Sequence, residues 1–169
     1  MTRDQKQVLG GMLLAVVVTV IALLAVYFLS RSGVDHVRLS APGASARAAL
    51  SLVYCIADIA KKRFFHSDMI EGAAYDHVGS DVAVDKAVLQ NTLEQTVLAI
   101  AAYNGLAAVA PGLAPVLLPV LVTLFLVGRV LFIGGYRKGA GGRAFGFALT
   151  FYPTVVAFAI FLVAFVLQL

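Results

Sequence analysis

The chain has 169 residues, of which 61% are hydrophobic and only 13% carry a charge. Soluble domains carry about 25% charged residues, so this composition excludes a water-soluble globular enzyme and predicts an integral membrane protein. The formal net charge is +4, but the basic residues flank apolar segments, which favours contact with a membrane surface over nucleic acid.

Four segments are apolar enough to cross a bilayer as helices, which takes about 20 residues each. These predicted spans cover residues 8–30, 88–110, 113–135 and 144–169, and the only charges inside them are Glu94 and Arg129. A short turn at Pro111 and Gly112 makes the second and third spans an antiparallel hairpin. The sequence therefore predicts an all-α protein, a four-transmembrane-helix bundle forming a single membrane domain.

The connection over residues 31–86 is unusually long and contains seven lysines and arginines. Its one apolar stretch, residues 48–60, is short and is flanked by Arg47 and Lys61. We predict an interfacial helix over about 46–63 within this connection rather than a further span. Residues 66–85 are acidic and mixed in character, which indicates a solvated loop or lid.

The distribution of basic residues predicts the orientation in the membrane. The third connection also carries basic residues, Arg137, Lys138 and Arg143, whereas the Pro111–Gly112 turn carries none. Because loops rich in Lys and Arg stay in the cytoplasm, both basic connections are expected there. The N- and C-termini would then lie away from the cytoplasm, and a bacterial inner membrane is the expected location.

Polar residues inside or beside the apolar spans mark the candidate site, because such residues in membranes are usually functional or paired. Asn91 and Glu94 are three residues apart and share a helix face, where they could bind an ammonium or amide group. Arg129 and Tyr136 are two turns apart, and Arg143 begins the last span, so the arginines could bind a carboxylate. The alternatives are a Glu94–Arg129 salt bridge between two helices and, for the basic residues near the third connection, contact with lipid headgroups.

The order and spacing of these residues resemble the MAPEG family, the membrane-associated proteins in eicosanoid and glutathione metabolism. Members carry Asn-x-x-Glu near the start of the second span, an Arg followed by a Tyr seven residues later in the third, and an Arg at the start of the fourth. The matching positions here, in a resemblance that extends from about Lys86 to the C-terminus, are Asn91, Glu94, Arg129, Tyr136 and Arg143.

The resemblance implies a homotrimer that binds glutathione between neighbouring subunits, without a metal. Arg143 would be the catalytic residue that stabilises the glutathione thiolate. The thiolate would attack an apolar electrophile or a lipid hydroperoxide that arrives from the membrane lipids. The residues implied to bind glutathione are Asn91, Glu94, Arg129 and Tyr136, and we add Lys86 and Lys138 as candidate contacts.

The sequence also departs from the family pattern at positions that would contact glutathione. Ala87 stands where many catalytic members have an arginine, and Phe132 and Gln95 stand where leukotriene-forming members have tyrosines. Lys86 could replace the missing arginine, although it offers a point charge rather than a planar fork. A non-catalytic lipid-binding or scaffold protein of the same fold is therefore the alternative function, and a small transporter or accessory subunit is a more distant one.

Overall fold

A computed structural model describes residues 1–31, 37–65 and 81–168, and every long element in these ranges is a helix. The helices are α1 (Arg3–Arg31), α2 (Ala41–Phe65), α3 (Asp81–Val109), α4 (Ala114–Gly135) and α5 (Gly139–Gln168). A single 3₁₀ turn, Tyr136–Lys138, joins the last two. Three helical stretches are apolar enough to cross a membrane: α1, α2, and the stretch from Ala114 to Leu167 that contains α4 and α5.

The structure differs from the predicted loop over residues 31–86. Residues 41–65 form α2, which is longer than the predicted interfacial helix, and α3 begins at Asp81. The buried face of α2 includes Ala41, Ala44, Ala48 and Ser51. Such small residues contribute little hydropathy but allow a helix to approach its neighbours closely. The described chain thus contains five long helices, where four spans and a surface helix were predicted.

Four of the helices form a ring, and the fifth packs against its outside. In the ring, α2 contacts α3 and α4, and both of these contact α5, while α1 packs along α5 and also touches α4. The largest core cluster lies inside the ring and includes Tyr103 and Leu106 of α3 and Leu118 and Phe125 of α4. A smaller cluster, with Ala15 at its centre, joins α1 to α5.

Polar contacts identify which helix ends lie together. The Asp85 carboxylate accepts hydrogen bonds from Lys62 at the end of α2 (2.6 Å) and from Arg137 after α4 (3.2 Å). At the other end of the bundle, the Leu39 N–H donates to the carbonyl of Pro115 (3.0 Å). We name these the Asp85 end and the Pro115 end.

The first helix runs parallel to α5. Gln7 lies against Gly141, and Gly11 lies against the backbone of Phe145, so α1 begins beside the beginning of α5. Both helices start at the Asp85 end, because α5 follows Arg137 directly. The start of α1 and the end of α5 consequently lie at opposite ends of the bundle, which differs from the prediction that the two termini share one side.

Candidate functional site

Two glycines bring α4 and α5 into backbone contact. A Cβ atom on Gly128 would collide with Thr150 Oγ1, and one on Gly146 would collide with the backbone nitrogen of Phe132. Small residues at a helix crossing allow this separation. The close crossing places Thr150 of α5 next to Arg129 of α4.

The predicted candidate Arg129 is buried, with only 1% of its surface exposed. Its Nε donates to Thr150 Oγ1 (3.1 Å), and its Nη1 donates to Asn91 Oδ1 (2.9 Å). The guanidinium carbon also lies 4.4 Å from the centre of the Phe132 ring, a cation–π distance. Nη2 has no acceptor among the described residues.

The alternative of a Glu94–Arg129 salt bridge is wrong for this chain. Glu94 is exposed on the outside of α3, where its Oε1 accepts a hydrogen bond from Gln90 Nε2 (3.0 Å). Asn91 takes the place of an acidic partner for Arg129. The arginine is therefore held by neutral oxygens and an aromatic ring.

A cavity of about 410 Å³ lies at the Asp85 end, and we call it the Arg143 pocket. Its polar lining residues are Asn91, Tyr136 and Arg143. The Arg143 guanidinium carbon lies 4.3 Å from the centre of the Tyr136 ring, and that ring meets Phe132 edge to face, with centroids 5.3 Å apart. Two cations and two aromatic rings thus form a continuous stack behind the pocket.

The electrostatic character of the Arg143 pocket is cationic. No acidic residue is among its lining side chains, and among the residues that the structure describes no carboxylate pairs with Arg143. The remaining lining is apolar and comes from Phe132, Phe147 and the first turns of α1. This arrangement suits a ligand that is anionic at one end and apolar elsewhere.

The structure separates the seven predicted site residues into two groups. Asn91, Tyr136 and Arg143 line the pocket, and Arg129 lies directly behind it through its hydrogen bond to Asn91. The other three, Glu94, Lys86 and Lys138, are not among the lining residues. Glu94 and Lys138 are exposed, and Lys86 is half-buried near the start of α3.

Sequence reasoning missed several residues that shape the site. Thr150 anchors Arg129, and a threonine within an apolar span is the signal that could have revealed it. Phe147 lies one turn after Arg143, on the same helix face. Val8 and Met12 of α1 carry no such signal, because apolar residues in an apolar span are indistinguishable from those that face lipid.

A second cavity, of about 210 Å³, lies on the other side of Tyr136. Its charged lining residues are Asp58, Lys62, Asp85 and Arg137, which form an ion-paired cluster joining α2, α3 and the 3₁₀ turn. Most of this cluster belongs to the segment predicted as a loop. The cluster closes the Asp85 end of the ring beside the candidate site.

The fold and the site define an all-α membrane protein whose polar residues converge on a cationic pocket at one end of a helical bundle. A family model for the MAPEG family matches residues 8–163. The match covers most of the 169 residues, so the chain belongs to the MAPEG family, which confirms the resemblance. Neither the curated proteins nor the solved structures yield a significant match. Membership fits a general role in glutathione or eicosanoid metabolism.

Proposed function

We propose that this protein binds glutathione in the Arg143 pocket and activates its thiol for attack on an apolar electrophile or a lipid hydroperoxide. The observation that carries the proposal is the half-buried Arg143 guanidinium, which lies in a cavity with Asn91 and Tyr136 and has no described carboxylate partner. Glutathione offers carboxylates, amides and a thiol, and the three polar lining residues offer donors and an acceptor for such groups.

The proposed role of Arg143 is to stabilise the glutathione thiolate. A free thiol has a pKa near 8.5 and is mostly protonated at neutral pH, whereas a neighbouring cation favours the thiolate. The charge interaction is stronger in a partly buried site than in water. Because the thiolate is the nucleophile, the guanidinium raises the reactive fraction of bound glutathione.

Both proposed reactions begin with attack by the thiolate sulfur. In conjugation, a sulfur–carbon bond forms, and the electron pair of the broken bond departs with the leaving group. With a hydroperoxide, a sulfur–oxygen bond forms as the oxygen–oxygen bond breaks, and the released alkoxide takes a proton to give an alcohol. A second glutathione then attacks the resulting sulfenic acid, which gives the disulfide and water.

The proposal includes a homotrimer in a bacterial inner membrane, with the Asp85 end in the cytoplasm. Glu94 supports an assembly, because it is exposed on a helix whose neighbouring exposed residues, Leu93 and Val97, are apolar. A carboxylate facing lipid is unfavourable, so this face of α3 is proposed to contact a neighbouring subunit. Apolar residues elsewhere on the bundle would then contact membrane lipids.

A non-catalytic lipid-binding protein is the second candidate, and the apolar lining of the pocket favours it. Phe132 stands at a position where leukotriene-forming relatives are expected to have a tyrosine, and it contributes a ring rather than a hydroxyl. Ala87, at the position of the expected arginine, is exposed and offers no charge. This candidate predicts a ligand in the same pocket without dependence on glutathione.

The test is the ultraviolet absorbance of the glutathione thiolate on detergent-purified protein at neutral pH. Wild type should show thiolate absorbance on adding glutathione, and Arg143→Ala should lose it. Lys138→Ala is the matched control, because it removes an exposed cation near the pocket that does not line it, and it should retain the signal. Well-folded wild type that binds a lipid saturably but forms no thiolate would favour the lipid-binding candidate instead.

A further inference from the structure

The first helix forms the outer wall of the Arg143 pocket. Val8 and Met12, which are four residues apart on one face of α1, line the cavity together with Ala144 and Phe147 of α5. The described lining therefore comes from helices of a single chain. No family motif predicted these two residues, because both lie in the segment where the motif resemblance is weakest.

Small residues hold α1 against α5. A Cβ atom on Gly11 would come within 3.0 Å of the Phe145 nitrogen and 3.3 Å of Ala144 Cβ. One turn later, Ala15 is fully buried against Ala148 and Leu149. This tight seam fixes the rotation of α1 and directs the adjacent Val8 and Met12 over the pocket.

The pocket continues along α1 toward the Asp85 end. A second cavity, of about 460 Å³, shares Val8, Met12 and Ala140 with the Arg143 pocket and also contacts Leu9. Met12, which is 39% exposed, lies where the two cavities meet. Together they form a groove with Arg143 at one end and apolar side chains along its length.

We propose that α1 selects the apolar co-substrate of its own chain, with Met12 as the specificity-determining residue. The proposal rests on the function proposed above. Glutathione would occupy the polar half of the groove, near Asn91 and Arg143. The body of an apolar electrophile would lie under α1 against Val8, Met12 and Phe147, so the size of residue 12 would limit the size of the electrophile.

The experiment compares two activated haloarenes, a dinitrochlorobenzene and the same ring bearing a long alkyl tail. The measured quantity is the ratio of kcat/KM for the tailed substrate to kcat/KM for the small one. Met12→Trp fills the groove and should lower this ratio at least tenfold, while Met12→Ala widens the groove and should raise it. Leu13→Trp is the matched control, because Leu13 is 57% exposed and lines neither cavity, and it should leave the ratio unchanged.

The outcomes separate the two proposals. If wild type conjugates both substrates and the ratio is the same in all three variants, the selecting role of α1 is wrong while the glutathione-dependent activity stands. If folded wild type conjugates neither substrate and binds no glutathione, the proposed function fails, and the role of α1 fails with it. Met12→Ala preserves the test if the tryptophan variant does not fold.

Discussion

The buried Arg129 shows how a single charge is accommodated in an apolar bundle. Leaving a buried charge without partners is strongly destabilising. Here three neutral groups stabilise the guanidinium: Asn91, Thr150 and the Phe132 ring. Because Asn91 also lines the Arg143 pocket, Arg129 acts as a positioning residue for the side chain that would contact a ligand.

Replacing Thr150 by valine should therefore destabilise the protein. The change keeps the shape of the side chain but removes the acceptor for Arg129 Nε, and an unsatisfied buried donor costs about 1–3 kcal/mol. The measurement is the thermal unfolding midpoint of the purified protein in detergent, which should fall.

The matched control for Thr150→Val is Thr123→Val on α4. Thr123 is exposed, and its hydroxyl donates only to the carbonyl of Pro119 within its own helix. This control should change the stability by less than about 0.5 kcal/mol. Equal shifts in the two variants would show that the contact between Thr150 and Arg129 does not stabilise the fold.

The sequence revealed the charged residue but not its partners. A charge in an apolar segment is visible in any sequence, so Arg129 was predicted as a site residue. Whether Asn91 or Glu94 meets it depends on how α3 and α4 are rotated about their axes. Residue spacing within each helix does not determine that rotation, and the packing turns Asn91 inward and Glu94 outward.

At the scale of whole helices, α2 shows why hydropathy predicted the fold only in part. The long apolar runs of α1, α4 and α5 were visible as predicted spans, with bounds close to those of the helices. The buried face of α2 instead consists largely of alanine and serine, so its signal resembled that of a surface helix. Its length and its contacts with α3 and α4 become evident only in the packed structure.

The crossing of α4 and α5 was another feature that the sequence indicated without specifying. Glycines near the third connection suggested either helix packing or a loose loop. The structure assigns Gly128 and Gly146 to a backbone contact that places Thr150 beside Arg129. The pairing of glycines on different helices depends on the register between them, which residue spacing alone does not determine.

For the whole molecule, the five-helix arrangement changes how the basic residues are distributed. Nine lie at or near the Asp85 end: Arg3, Lys6, Lys61, Lys62, Arg63, Lys86, Arg137, Lys138 and Arg143. Three lie toward the Pro115 end: Arg31, Arg38 and Arg47. The four-span prediction placed these three in the cytoplasmic loop, because it did not recognise that α2 returns along the length of the bundle.

This distribution predicts a cytoplasmic N-terminus and a C-terminus on the opposite side of the membrane, since basic ends stay in the cytoplasm. The measurement is labelling of single cysteines by a membrane-impermeant maleimide in oriented vesicles, with Thr2→Cys and Leu167→Cys as the two reporters. They should be labelled from opposite sides. The native Cys55 is buried and gives the background. Labelling of both reporters from one side would contradict the five-helix topology.

The central claim is that the Arg143 pocket binds glutathione, and calorimetry on detergent-purified protein tests it most directly. Wild type should bind glutathione saturably. Arg143→Ala should bind at least tenfold more weakly, a loss of about 1.4 kcal/mol or more, and Arg143→Lys should fall between them, because lysine keeps the charge without the planar fork. Folded wild type without saturable binding, or an alanine variant with unchanged affinity, would contradict the account.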